Sequence, residues 1–173
     1  MNETNYIPSA INQFTQYKIL AEKTIAQVPD EKINWQYNPE TNSIAIIVKH
    51  LSGNMVSRFT DFLNSDGEKK WRNRDGEFEN EILSRDQLMA VWDKGWNCLF
   101  SVLHVLTEND LTKKVLIRNE EHTVMEAINR QLTHYASHIG QIIYIGKMVC
   151  NSDWKTLSIP RNASAEFNKK KGL

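Results

Sequence analysis

The sequence predicts an all-α fold, a four-helix bundle with long connections, and three observations carry that reading. Four long segments place apolar residues at alternating steps of three and four. Helix-start signals stand where three of those segments open. Segments of roughly 20 residues would each span about 30 Å, the usual format of a bundle.

The first segment carries Ile11, Phe14, Lys18, Ala21, Ile25 and Val28 on one stripe, and Pro29 ends it. Lys18 is the one charged member, with an apolar stem that can lie along the stripe. The second opens at Ser43, an N-cap residue, and lines up Ile44, Val48, Leu51, Met55, Phe59 and Phe62 before fading at Asp66-Gly67. The third opens at Ser84 with Gln87 three residues on, a capping-box spacing. Leu88, Trp92, Gly95, Leu99, Val102 and Leu106 form its inner face. The fourth repeats the capping-box pattern at Thr123 and Glu126 and runs to about Val149, with Val124, Ile128, Tyr135, Ile139 and Ile142 inward. Before it, Val115, Leu116 and Ile117 suggest a short strand, a hairpin or an extended loop. The connection from Asn64 to Leu83 and the tail from Asn151 exceed what such a bundle needs.

The chain has 173 residues, enough for one domain, read here as spanning residues 1–173. Its 21 basic and 21 acidic side chains cancel, which weighs against nucleic-acid binding, a function that rests on clustered positive charge. The one basic run, Lys169 to Lys171, reads as a solvated tail. No apolar run reaches membrane-spanning length, and "MNETNYIPSA" lacks a basic-then-apolar export pattern. Two cysteines, Cys98 and Cys150, make no disulfide framework and suit a reducing compartment. A cytoplasmic protein is the expectation.

The candidate site begins at "LTHYASHIG", where His134 and His138 stand four residues apart. On a helix they lie about 40° apart, beside the apolar stripe, and can converge on one metal ion. His50 falls on a polar stripe of the second helix with Asn54, Ser57 and Asp61. If the second and fourth helices are neighbours, His50 faces the pair. His104 projects away from its apolar stripe and reads as solvated, and His122 reads as a loop residue before the Thr123 cap.

A histidine early in the second helix ("IVKHLSGNM") and the spaced pair in the fourth ("HYASHIGQI") resemble the DinB/YfiT superfamily of metal-dependent enzymes. The resemblance covers nearly the whole chain, and "DGEKKWRNRDGEF" and "LSIPRNASAEFN" look like an uncharacterised bacterial branch of it. It implies a four-helix bundle, a homodimer, and a divalent metal held by His50, His134 and His138. It also implies thiol-dependent transferase or isomerase chemistry with low-molecular-weight thiols such as bacillithiol or mycothiol, although fold does not fix function.

Three neutral imidazoles leave a divalent ion at least one open position, the arrangement of a catalytic rather than a structural site. Zinc, nickel and iron all accept such a ligand set. Between the paired histidines lie Tyr135, Ala136 and Ser137, with no carboxylate, so peptidase chemistry is not expected. Arg72, Arg74 and Arg161 in the two long segments either hold an anionic substrate or pair within their loops. Asp61 is read as a solvated helix-end acid, and Trp71 and Trp154 as lids on the core. Asn54 either orients a ligand imidazole or bonds a neighbouring helix. The expected function is a metal-dependent transferase or hydrolase acting on a small molecule. The competing class is a non-enzymatic metal-binding or interaction protein built as a homodimeric bundle.

Overall fold

A computed structural model describes residues 6–79 and 81–173; the first five residues of the N-terminal stretch judged for an export pattern lie outside them. The capping signals act where the sequence places them. Ser43 Oγ accepts from the amide of Ile46 and opens α2 (Ile44–Phe59). Ser84 and Gln87 close a reciprocal capping box at the start of α3 (Arg85–Leu103), and Thr123 and Glu126 close another at α4 (Val124–Cys150). The first helix, α1 (Tyr6–Ile25), carries Pro8 in its opening turn, where a missing amide hydrogen costs nothing.

The chain is mostly helical. Helix α2 packs on α3 and on α4, and α1 packs on α4 and α3. Thirteen of the sixteen residues of α2 are buried, so this helix lies at the centre and its polar residues face other elements instead of water. The aromatic core joins three helices. Phe14 of α1 lies 6.3 Å from the ring of Trp96 of α3 and 5.8 Å from Tyr135 of α4, in tilted or edge contacts. Gly95 sets the spacing between α2 and α3: a Cβ there would stand 2.7 Å from Ser52 Cα.

Between α3 and α4 the chain forms an antiparallel hairpin, β1 (Lys114–Ile117) with β2 (Glu120–Thr123), Val115 opposite His122. Its turn residues Arg118 and Asn119 both take left-handed backbone, φ 56° and 62°. That conformation suits the tight primed turn of a two-residue hairpin but is uncommon for arginine. Asp66 holds it in place, accepting from the amides of Arg118 at 2.9 Å and Asn119 at 2.7 Å.

Several sequence expectations need correction. Phe62 and Leu106 belong to the buried core but lie past the ends of their helices, in the turns that follow. His122 is a strand residue, not a loop residue. Trp71 is 60% exposed and covers no core, whereas Trp154 does pack against it. The tail contains a fifth helix, α5 (Ser164–Lys170), supported by a Glu166–Lys170 pair one turn apart. Among the described residues no helix is long and apolar enough to cross a membrane.

Candidate metal centre

Helices α2 and α4 bring the three histidines together. Each offers one ring nitrogen, and these nitrogens all lie within 4.8 Å of one another. His134 Nε2 is 3.2 Å from His50 Nε2 and 3.1 Å from His138 Nε2. Ligand nitrogens bound at about 2.0–2.1 Å around a tetrahedral ion would stand about 3.3 Å apart, close to those spacings.

The other nitrogens of two of these rings are engaged. His50 Nδ1 lies 3.0 Å from Glu77 Oε2, and His138 Nδ1 lies 3.2 Å from Gln141 Oε1. With Nδ1–H donating outward, both rings present an Nε2 lone pair to the centre, as metal-ligating histidines do. Burial pulls the proton affinity of His134 down to about 3, helped by the neighbouring imidazoles and by Arg58 and Arg72. His138 is lowered too, by burial first and then by His50. Neutral imidazole is the form a metal requires.

Glu77 connects this cluster to the long α2–α3 connection. Arg72 grips both of its oxygens, at 2.7 Å and 2.8 Å, in a bidentate fork. Burial alone would raise the carboxyl, but His50 and Arg72 outweigh it and hold it below the ordinary glutamate value. The carboxylate reaches this position only because Gly53 of α2 has no side chain: a Cβ there would stand 2.1 Å from Glu77 Oε1. Phe78, next in the chain, lays its ring 4.8 Å from that of His50, and the Arg74 guanidinium lies over the Phe78 ring at 5.1 Å.

His50 and His134 form one wall of a cavity of about 470 Å³, which Arg58, Arg72, Arg74, Arg118 and Arg130 also line. A second cavity, of about 870 Å³, shares Ser137 with the first and is bordered by Trp35, Tyr37, Tyr144, Ile145 and Met148.

The remaining candidates fall elsewhere. Asn54 accepts a bond from Tyr135 Oη at 2.9 Å and so ties α2 to α4. Ser57 anchors the connection, donating to the Gly67 carbonyl at 2.8 Å. Asp61 is exposed just past the end of α2, with φ 48°. Arg161 is exposed in the tail and does not line the arginine cavity, and His104 is exposed as read from its stripe. Sequence reasoning missed Glu77, Arg58, Arg118 and Arg130. A signal existed for two of them: Arg58 follows His50 by eight residues on one helical face, and Arg130 precedes His134 by four. No spacing rule points to Glu77 or Arg118, which arrive from a connection and a turn.

The chain belongs to the family described as Protein of unknown function (DUF1572), whose model matches residues 2–163. No curated protein matches it.

Proposed function

We propose that this member of the DUF1572 family is a metal-dependent enzyme of DinB/YfiT type, a four-helix bundle that holds one divalent ion through His50, His134 and His138. The observation that carries the reading is the convergence of three imidazole nitrogens, two of whose rings, His50 and His134, line a cavity, while the rings of His50 and His138 are fixed by outward bonds. Three protein ligands and a cavity on one side leave room for a small molecule beside the ion, which is the arrangement of a catalytic site.

Zinc, nickel or iron would fit this ligand set, and such an ion acidifies a water or a thiol that reaches it. The residues of the chain then set what is done with that chemistry. Glu77 has both oxygens taken by Arg72 and one shared with His50, so it orients a ligand instead of acting as a free general base. That favours thiol-dependent transfer, with a low-molecular-weight thiol such as bacillithiol, over peptide hydrolysis; small-molecule hydrolysis is the neighbouring alternative.

A homodimer, and with it the non-enzymatic alternative, draws support from one feature. Tyr37 and Tyr144 bordering the second cavity are 71% and 66% exposed, a face that a second copy of the chain would cover. Light scattering of the purified chain tests the dimer.

The enzyme reading is tested by metal analysis of the purified protein followed by a conjugation assay. One equivalent of divalent metal per chain, and chelator-sensitive coupling of bacillithiol or glutathione to an electrophile, are expected. Metal without any rate above the chelated control with either thiol would leave the hydrolytic or non-enzymatic readings.

A further inference from the structure

The chain is neutral overall, yet five of its arginines line one cavity. They come from four separate places: Arg58 from the end of α2, Arg72 and Arg74 from the α2–α3 connection, Arg118 from the hairpin turn, and Arg130 from α4. Among the described residues no acidic side chain lines the cavity with them. Three carboxylates stand close behind. Glu68 pairs with Arg58 and Arg118 at 3.1 Å, Glu77 pairs with Arg72, and Asp66 caps the Arg118 turn. Five guanidiniums against three carboxylates leave two positive charges over. Arg74 and Arg130 are the ones that meet no carboxylate among the described residues.

Ion pairing within a loop explains Arg72. Pairing with Glu68 likewise accounts for Arg58 and Arg118, but no ion pair explains why Arg74 and Arg130 are gathered at the same cavity. Arg58 is 6% exposed and its Nε meets no hydrogen-bond partner among the described residues. A buried donor left without a partner is costly unless something else meets it. Burial lowers the Arg58 guanidinium despite Glu68, and the like charges of Arg72 and Arg118 lower it further, so the cluster repels itself. An anion in the cavity would relieve that repulsion and meet the planar donors.

We propose that this cavity binds a small molecule carrying a doubly charged oxyanion, a phosphate monoester or a dicarboxylate, with the rest of the molecule beside the three histidines. The proposal names the substrate class of the metal-enzyme reading and rests on it for the word substrate; the binding itself rests on the arginines. Hairpin and connection serve as the clamp. Asp66 fixes the left-handed backbone of Arg118, and the Phe78 ring supports the Arg74 guanidinium. A volume of about 470 Å³ fits a metabolite, and the chain's balanced charge lacks the extended basic surface of a nucleic-acid binder.

Calorimetric titration of the purified full chain with inorganic phosphate, succinate and acetate, at constant ionic strength, tests the proposal. Saturable one-to-one binding of phosphate or succinate is expected, with acetate at least about tenfold weaker. A preference for phosphate identifies a phosphate monoester as the source of the charge, and a preference for succinate a dicarboxylate. In the variant R74Q/R130Q, whose altered residues are exposed and form no ion pair among the described residues, affinity should fall about tenfold or more, since the two charges no carboxylate neutralises are removed. Its circular dichroism and metal content should stay at wild-type values. Titrating chelator-treated protein separates the two readings: anion binding that survives metal removal and is lost in R74Q/R130Q upholds the anion site even if no metal is ever found. The proposal is overturned if neither dianion saturates, if acetate binds as well, or if R74Q/R130Q binds like the wild type.

Discussion

Glu77 holds His50 by its Nδ1 at 3.0 Å while Arg72 holds Glu77 by both oxygens, so a connecting loop sets the direction of a helix-borne imidazole. Neither residue lies near His50 in sequence. The chain Arg72–Glu77–His50 therefore couples the folding of the α2–α3 connection to the geometry of the three-histidine cluster.

Glu77→Gln tests that coupling. Loss of an outer hydrogen-bond partner of a metal-ligating histidine typically costs about 10–100-fold in metal affinity. The variant should keep its helical circular dichroism, melt somewhat lower because Arg72 loses its main partner, and bind zinc about 10–100-fold more weakly in competition with a chromophoric chelator. Unchanged affinity would mean that the ring of His50 is fixed by packing alone.

His134→Ala separates the site from the fold. Apolar burial at roughly 25 cal/mol per Å² supplies most of the stabilisation, and His134 stands outside the buried apolar core. Bound metal adds only a mass-action contribution, about 2.7 kcal/mol at a hundredfold excess over Kd. The variant should lose metal yet remain helical and melt cooperatively at a lower temperature. Chelated wild type should behave alike, and restored metal should rescue only the wild type. An unfolded variant would show that the metal is a structural staple and would remove the case for an open site.

Asp66 gives a pH signature at the hairpin. Burial by itself would raise its carboxyl, but the amides of Asn119, Glu68 and Arg118 together outweigh it and hold it below the ordinary aspartate value. A depressed folded value means that the stabilisation is complete above the unfolded value, near 3.9, and is lost as pH falls through the folded one. The turn should therefore stay closed at neutral pH and loosen only in acid. Asp66→Ala should loosen it at pH 7, seen as faster hydrogen exchange at the Arg118 and Asn119 amides. Equal exchange rates in variant and wild type would show that the strands alone hold the turn.

Gly95→Ala probes the contact between α2 and α3. The added methyl would meet the backbone at Ser52 Cα, which cannot turn aside as a side chain can. Overpacking of this kind costs about 1–3 kcal/mol, offset by up to about 1 kcal/mol of helix propensity. A lower melting temperature is expected by calorimetry; a higher one would mean that the two helices slide apart without penalty.

The helices were legible because their signals are local. Ser43, Ser84 and Thr123 cap where their side chains reach backbone amides three residues on, a distance fixed by sequence spacing. The hairpin was half legible: Val115 to Ile117 announced extended chain, but its partner strand, Glu120 to Thr123, is polar and shows no alternation. The three histidines could be brought together on paper because two share a helix face and the third lies on a stripe of its own. The arginine cavity and Glu77 could not, since they come from turns and connections whose paths no periodicity encodes. Trp71 was misread because a large aromatic in a loop looks like a lid until the loop turns it outward.

The missing side chain at Gly53 also sets a trade-off between robustness and activity. A glycine in the middle of α2 weakens that helix by about 0.8–1 kcal/mol relative to alanine. Selection for stability alone would replace it. Gly53→Ala should strengthen the helix while its methyl evicts the Glu77 carboxylate, leaving His50 without its anchor and Arg72 without its fork. A sequence optimised for thermal resistance would thus tend to drift away from metal affinity at this one position. Chains that carry the three histidines but have lost the glycine should then rotate the first imidazole freely and hold their metal loosely.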